Sequence, residues 1–126
     1  MRENIASISE LTERIYKNAI SKGWYEEERS FGDIISLCHA ELSEALEEYR
    51  NGHKPNDIYY SVSEKSVTNG KFENDLKPEG IPIELADVVI RIMDYCGHVG
   101  IDLQSAIEIK MAYNESRSYK HGGKVI

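Results

Sequence analysis

Cysteine is scarce in this chain, two residues in 126, and both Cys38 and Cys96 fall in apolar, helix-forming stretches. That excludes a disulfide-stapled scaffold and predicts a reduced, intracellular protein. Long uncharged apolar runs are missing too, since none approaches the roughly 18 residues a membrane helix needs. Residues 1–9 lack a basic start followed by an apolar run, so no secretory signal is expected. Nor is there an excess of positive charge: 15 basic against 22 acidic residues leave a formal net charge of -7. Such a balance argues against wrapping nucleic acid or binding an anionic membrane. A nucleotide stays admissible if a cation stands between acid and phosphate. His53, His98 and His121 show no metal-ligand spacing. No Glu is followed three residues later by His, which weakens the reading as a carboxylate-bridged di-iron bundle. There is no internal repeat or low-complexity tract. The expectation is one cytoplasmic domain spanning 1–126, long enough to bury a core.

What the chain does have is two acidic pairs, Glu41-Leu42-Ser43-Glu44 and Glu84-Leu85-Ala86-Asp87. Each sits in a strongly apolar, helix-forming stretch. A three-residue step puts both carboxylates of a pair on one helix face. Four carboxylates meeting at the edge of a core would repel one another and lose hydration. A hard divalent cation of the magnesium kind, which prefers oxygen ligands, relieves both costs. The pattern points to metal-dependent chemistry on phosphates.

Four helices are predicted. The first starts at Ser7-Ile8-Ser9-Glu10, the form of a capping box, and stops near Lys22-Gly23. The second follows a start signal at Ser30-Phe31-Gly32-Asp33 and covers 33–50. At 100° per residue from Glu41, Ile34, Cys38, Leu42, Ala45, Leu46 and Tyr49 span roughly 20° to 140° and form the expected buried face. Glu44 and Glu48 border that face. The third helix, 82–98, tolerates Pro82 in its first turn. Ile83, Leu85, Ala86, Val88, Val89, Ile90, Ile92, Met93 and Cys96 cover more than half its circumference. That breadth predicts a central helix buried also by a partner copy. Arg91 faces the same strip as Glu84 and Asp87, where it would offset their charge. The fourth helix runs from an Asp102 N-cap to Arg117. Its stripe changes from Leu103 and Ile107 to Lys110, Asn114 and Arg117, fitting a helix that leaves a core for a polar pocket.

Residues 51–80 break the periodicity. A hairpin pairing 59–67 with 71–74 through Asn69-Gly70 is one reading of this insert. So long an excursion in a small domain reads as a lid or surface element. The basic tail at 118–126 could close over phosphates, its glycines allowing close backbone approach, or could be a plain terminus.

Glu-x-x-Glu at Glu41 and Glu44, Glu-x-x-Asp at Glu84 and Asp87, and Lys-x-x-x-Asn-x-x-Arg at Lys110, Asn114 and Arg117 together resemble the MazG-like nucleotide pyrophosphohydrolases. That family is part of the all-α nucleoside triphosphate pyrophosphatase superfamily. The similarity covers about 33–117 and extends in flavour to His121-Gly122-Gly123-Lys124. It implies an all-α four-helix bundle completed by homodimer or homotetramer formation, the long insert being a departure from compact members. It implies magnesium-dependent cleavage of a nucleoside triphosphate to monophosphate and pyrophosphate, with Mn2+ as a substitute ion, in a house-cleaning role. Glu41, Glu44, Glu84 and Asp87 would hold the metal, and Glu41 or Glu44 would act on the attacking water. Lys110 and Arg117 would grip phosphates and Asn114 phosphate or sugar. Structural ion pairs are the plainer reading of that cationic stripe. Glu48 is either a fifth ligand or an acid behind the ligands. Trp24, Phe31 and His39 could stack on a base, although a lone Trp after a helix is commonly a packing anchor. Two other readings stay open: a non-catalytic helical interaction module, and a phosphoribosyl-nucleotide pyrophosphohydrolase.

Overall fold

Local capping chemistry sets the helix starts. In the computed structural model, which describes residues 5–62 and 76–117, Ser7 and Ser30 each close a capping box. The Ser7 side chain accepts from the Glu10 backbone N–H while Glu10 accepts from that of Ser7; Ser30 and Asp33 repeat the exchange. Each box satisfies two N–H groups that would otherwise lack a partner. These boxes open α1 (Ile8–Ser21) and α2 (Phe31–Arg50). Two short strands follow, β1 (Tyr59–Val62) and β2 (Leu76–Glu79), then α3 (Ile81–Val99) and α4 (Leu103–Ser116) with Asp102 as N-cap. The described chain is mostly helical, as expected, with one two-stranded sheet added. No described helix is long and apolar enough to cross a membrane.

The chain forms two compact units, one made of Glu27–Ile92 and the other of the segments on either side of it. In the second of these, α1 packs with α4, and Tyr16 joins Tyr25 and His98 in an aromatic cluster. Tyr25 stacks on the His98 ring at 4.0 Å, and the Tyr16 hydroxyl lies 3.0 Å from His98 Nδ1.

The Glu27–Ile92 unit carries both acidic pairs and departs from expectation in two respects. The buried line along α2 is Ile34, Cys38, Glu41 and Ala45. Leu42, Leu46 and Tyr49, expected inside, are exposed, Leu46 at 58%. The buried stripe is thus rotated towards the acids, and a carboxylate occupies its middle. The strand pairing differs as well. β1 begins at Tyr59 as read, but its antiparallel partner is Leu76–Glu79, with Tyr59 opposite Glu79 and Val62 opposite Leu76. Pro78 withdraws one donor from that strand, which an edge position tolerates. It also hides the strand from pattern reading. The Asn69-Gly70 turn, residues 71–74 and the basic tail lie outside the described residues.

Gly80 joins β2 to α3 with φ of 119°. A Cβ there would drive into the Asp57 carbonyl oxygen, whereas Gly52, with φ of 95°, faces open space. Positive φ alone costs a side chain about 1–3 kcal/mol. Gly52→Ala should therefore destabilise within that range, and Gly80→Ala should cost at least about 1 kcal/mol more because of the added collision. Urea unfolding of the two variants checks this; equal losses would remove Gly80 as the steric joint.

Candidate metal centre

Helices α2 and α3 bring three carboxylates together. One oxygen from each of Glu41, Glu84 and Asp87 lies within 4.8 Å of the others. Glu84 and Asp87 share a face of α3 through their three-residue step, while Glu41 reaches them from the buried line of α2. Glu44, the fourth acid of the pattern, is exposed beside this group and outside the three-oxygen cluster. Even so, its carboxylate approaches both Glu41 and Glu84 closely enough to shift their protonation.

The three acids are not equivalent. Arg91 Nε and Nη2 both donate to Glu41 Oε1, at 3.0 and 2.9 Å. Arg91 offsets Asp87 on its own helix, as its place on that strip predicts, while its hydrogen bonds close on the acid of the facing helix. Burial pushes the Glu41 carboxyl up, but the Arg91 hydrogen bonds, contacts with Glu44 and the guanidinium charge bring it below its ordinary value of 4.5. Glu41 is held as a carboxylate.

Among the described residues Glu84 has no such donor. Its Oε2 is sealed from solvent without a hydrogen-bond partner. The groups nearest it include Glu44 and Glu41, and these can share a hydrogen bond with Glu84 only when one of them is protonated. Burial first, then Glu44, Glu41 and the Asp87 charge, push Glu84 up to about 7. Asp87 is raised by burial and by Glu41, with Arg91 and Lys77 pulling back. An all-oxygen donor set with one orphaned buried oxygen and two reluctant carboxylates fits a hard cation.

Glu48, read as a possible fifth ligand, is engaged elsewhere. The Tyr59 hydroxyl donates to both of its oxygens at 2.7 and 2.9 Å, and His53 Nε2 lies 3.4 Å from Oε2. The His53 ring stacks on Tyr59 at 4.7 Å. Donating to Glu48 raises the Tyr59 hydroxyl to about 12. Nothing in the spacing of residues 51–62 signals this clamp, because it forms between a helix and a strand.

Lys110, Asn114 and Arg117 lie along α4 and at its end, in the other unit. Lys110 Nζ and the Arg117 guanidinium stand 5.0 and 5.5 Å from the Tyr113 ring centroid. Among the described residues neither makes a salt bridge. Phe31 and His39 are exposed on α2, and Trp24 is half-buried after α1. A cavity of about 330 Å3 in the α1–α4 unit is lined by Thr12, Tyr16, Cys96, Gly97, Ile101 and Leu103 among others, and by none of the sequence-predicted site residues. Compared with protein-family models, curated proteins and solved structures, the chain finds no match in any of the three.

The raised Glu84 pKa has a thermodynamic consequence of definite sign. The fold favours the neutral acid, so its contribution is complete below about pH 4.5 and is lost as pH rises through about 7. In chelator, the melting temperature should fall between about pH 5 and pH 8, and Glu84→Gln should flatten that fall and raise the melting point at the alkaline end. Magnesium should do likewise for the unaltered protein by binding only the folded state. Differential scanning calorimetry reads all three; parallel curves for Glu84→Gln and the parent would contradict the assignment.

Proposed function

We propose that this protein is a magnesium-dependent nucleoside triphosphate pyrophosphohydrolase of the MazG-like kind, releasing a nucleoside monophosphate and pyrophosphate. The convergence of Glu41, Glu84 and Asp87 within 4.8 Å, with a donorless buried oxygen on Glu84, carries this reading. Those three residues and the neighbouring Glu44 would hold the ion, with Mn2+ able to replace Mg2+. When bound, the ion supplies charge neutralisation at phosphate oxygens and lowers the pKa of water. The residues divide the remaining work. Glu41, fixed by Arg91 through Oε1, offers Oε2 in a set orientation. Glu44, exposed at the rim, would accept a proton from the attacking water. Water attack in line on a phosphoryl group then expels pyrophosphate. Lys110 and Arg117 are proposed as phosphate ligands and Asn114 as a phosphate or sugar ligand, by resemblance alone.

A homo-oligomer belongs to the same proposal. Leu42, Leu46 and Tyr49 on α2, with Leu85 and Val89 on α3, are large apolar side chains left exposed by the single chain. Groups of that kind mark association surfaces. They also favour one second reading, a non-catalytic helical interaction module. The phosphoribosyl-nucleotide activity would draw on the same carboxylates.

Purified protein with magnesium, offered ordinary and modified nucleoside triphosphates and a phosphoribosyl-nucleotide, separates these readings. Pyrophosphate and monophosphate should appear together, and chelator should abolish turnover. Glu44→Gln should lower kcat by about 100-fold or more, the usual scale of a lost general base. Asp87→Asn should weaken magnesium binding in titration calorimetry. Orthophosphate with diphosphate as the products would reject the bond specificity. Intact association with an inert acidic cluster would leave the interaction module standing.

A further inference from the structure

We propose that Lys77, on the second strand of the insert, is a substrate-contacting residue that binds a phosphate oxygen of the nucleotide opposite the carboxylate cluster. The proposal rests on the hydrolase reading above and adds a residue that the helix motifs do not contain. Side chains alternate across a strand, and the register places Tyr59 opposite Glu79 and Ser61 opposite Lys77. These four therefore share one face of the ribbon. Tyr60, Val62, Leu76 and Pro78 share the other, which is exposed.

The first face is fastened to α2. The Tyr59 hydroxyl holds Glu48, and Glu48 lies one turn beyond Glu44. Between ribbon and helices is a cavity of about 280 Å3 lined by Glu44, Glu47, Glu48, Glu79, Glu84 and Lys77 among others. Among the described residues that line it, Lys77 is the only cation. Among the described residues it makes no ion pair, although five glutamates line the same space.

An ammonium so placed has a clear use. A triphosphate entering a pocket of glutamates meets repulsion from every wall that a cation on the carboxylate side does not cover. Lys77 supplies positive charge on the opposite wall, where a phosphate oxygen can accept from its three donors. The two-stranded insert then serves as the support that fixes this cation over the acids, with the Tyr59–Glu48 bonds as its fastening. Lysine suits the task because a flexible point charge can follow the phosphate chain without a set fork geometry.

The test uses the full chain and three variants, Lys77→Gln, Lys77→Arg and Lys54→Gln. The last removes the same charge from an exposed residue that does not line the cavity. Calorimetry would measure magnesium binding alone, then inorganic pyrophosphate binding in saturating magnesium, with circular dichroism as the folding control. Lys77→Gln should bind magnesium as well as or more tightly than the parent, because a competing positive charge is gone. It should bind pyrophosphate about tenfold or more weakly, the scale of a lost charged hydrogen bond. Lys77→Arg should restore most of that affinity, and Lys54→Gln should leave it unchanged. Equal pyrophosphate affinity in Lys77→Gln and parent, or an equal loss in Lys54→Gln, would overturn the assignment. If the parent binds pyrophosphate with magnesium and Lys77→Gln does not, yet no nucleotide is cleaved, the hydrolase reading falls and the Lys77 site stands. A parent that binds no pyrophosphate sinks both.

Discussion

The pairing of Arg91 with Glu41 is the contact on which the site depends. Glu41 occupies the middle of the only buried line along α2, between Cys38 and Ala45, and is itself 9% exposed. A lone carboxylate there would lose its hydration for nothing. Two hydrogen bonds from one guanidinium make the position tolerable and join α2 to α3 at one depth and one rotation. Buried pairs of this kind are weak contributors to net stability, but leaving one partner alone is costly. Specificity of arrangement is the gain. Because Arg91 lies one turn beyond Asp87, the same bond that seats Glu41 also sets its separation from Glu84 and Asp87.

Arg91 bonds to one acid and only partly offsets Asp87, and it leaves Glu84 without compensation. Glu84 and Asp87 both take up protons more readily than free carboxyls, with burial as the leading cause. The unit therefore holds unfavourable electrostatic energy in the absence of a cation, and a cation that relieves it would bind more tightly for that reason. Sites that bind or react commonly sacrifice stability in this way. The insert adds to the same electrostatic region from outside. Tyr59 occupies Glu48, and β2 brings Glu79 and Lys77 to the rim.

Much of the fold was legible because its signals are short-range. Ser7 with Glu10, Ser30 with Asp33, and Asp102 with Ser105 are contacts over three residues, so the four helices were placed to within a residue or two. The burial of α2 was legible only in part. Hydrophobic periodicity finds an apolar face but cannot tell one covered within the chain from one left open, hence Leu42, Leu46 and Tyr49. The ribbon is legible by half: Tyr59 begins a strand in an aromatic, β-prone stretch, whereas Pro78 in Leu76-Lys77-Pro78-Glu79 argues against a strand on sequence grounds.

The sequence by itself determined which helices form, where they start, and that acids lie in three-residue steps beside apolar residues. All of these follow from the periodicity and capping of a single segment. Tertiary structure decided that Glu41 rather than Glu44 joins Glu84 and Asp87, that Arg91 serves the opposite helix, and that Tyr59 takes Glu48. Those outcomes depend on the rotation and depth at which separate segments meet. Packing and buried charge set that rotation and depth, and neither is written in the spacing of any one helix.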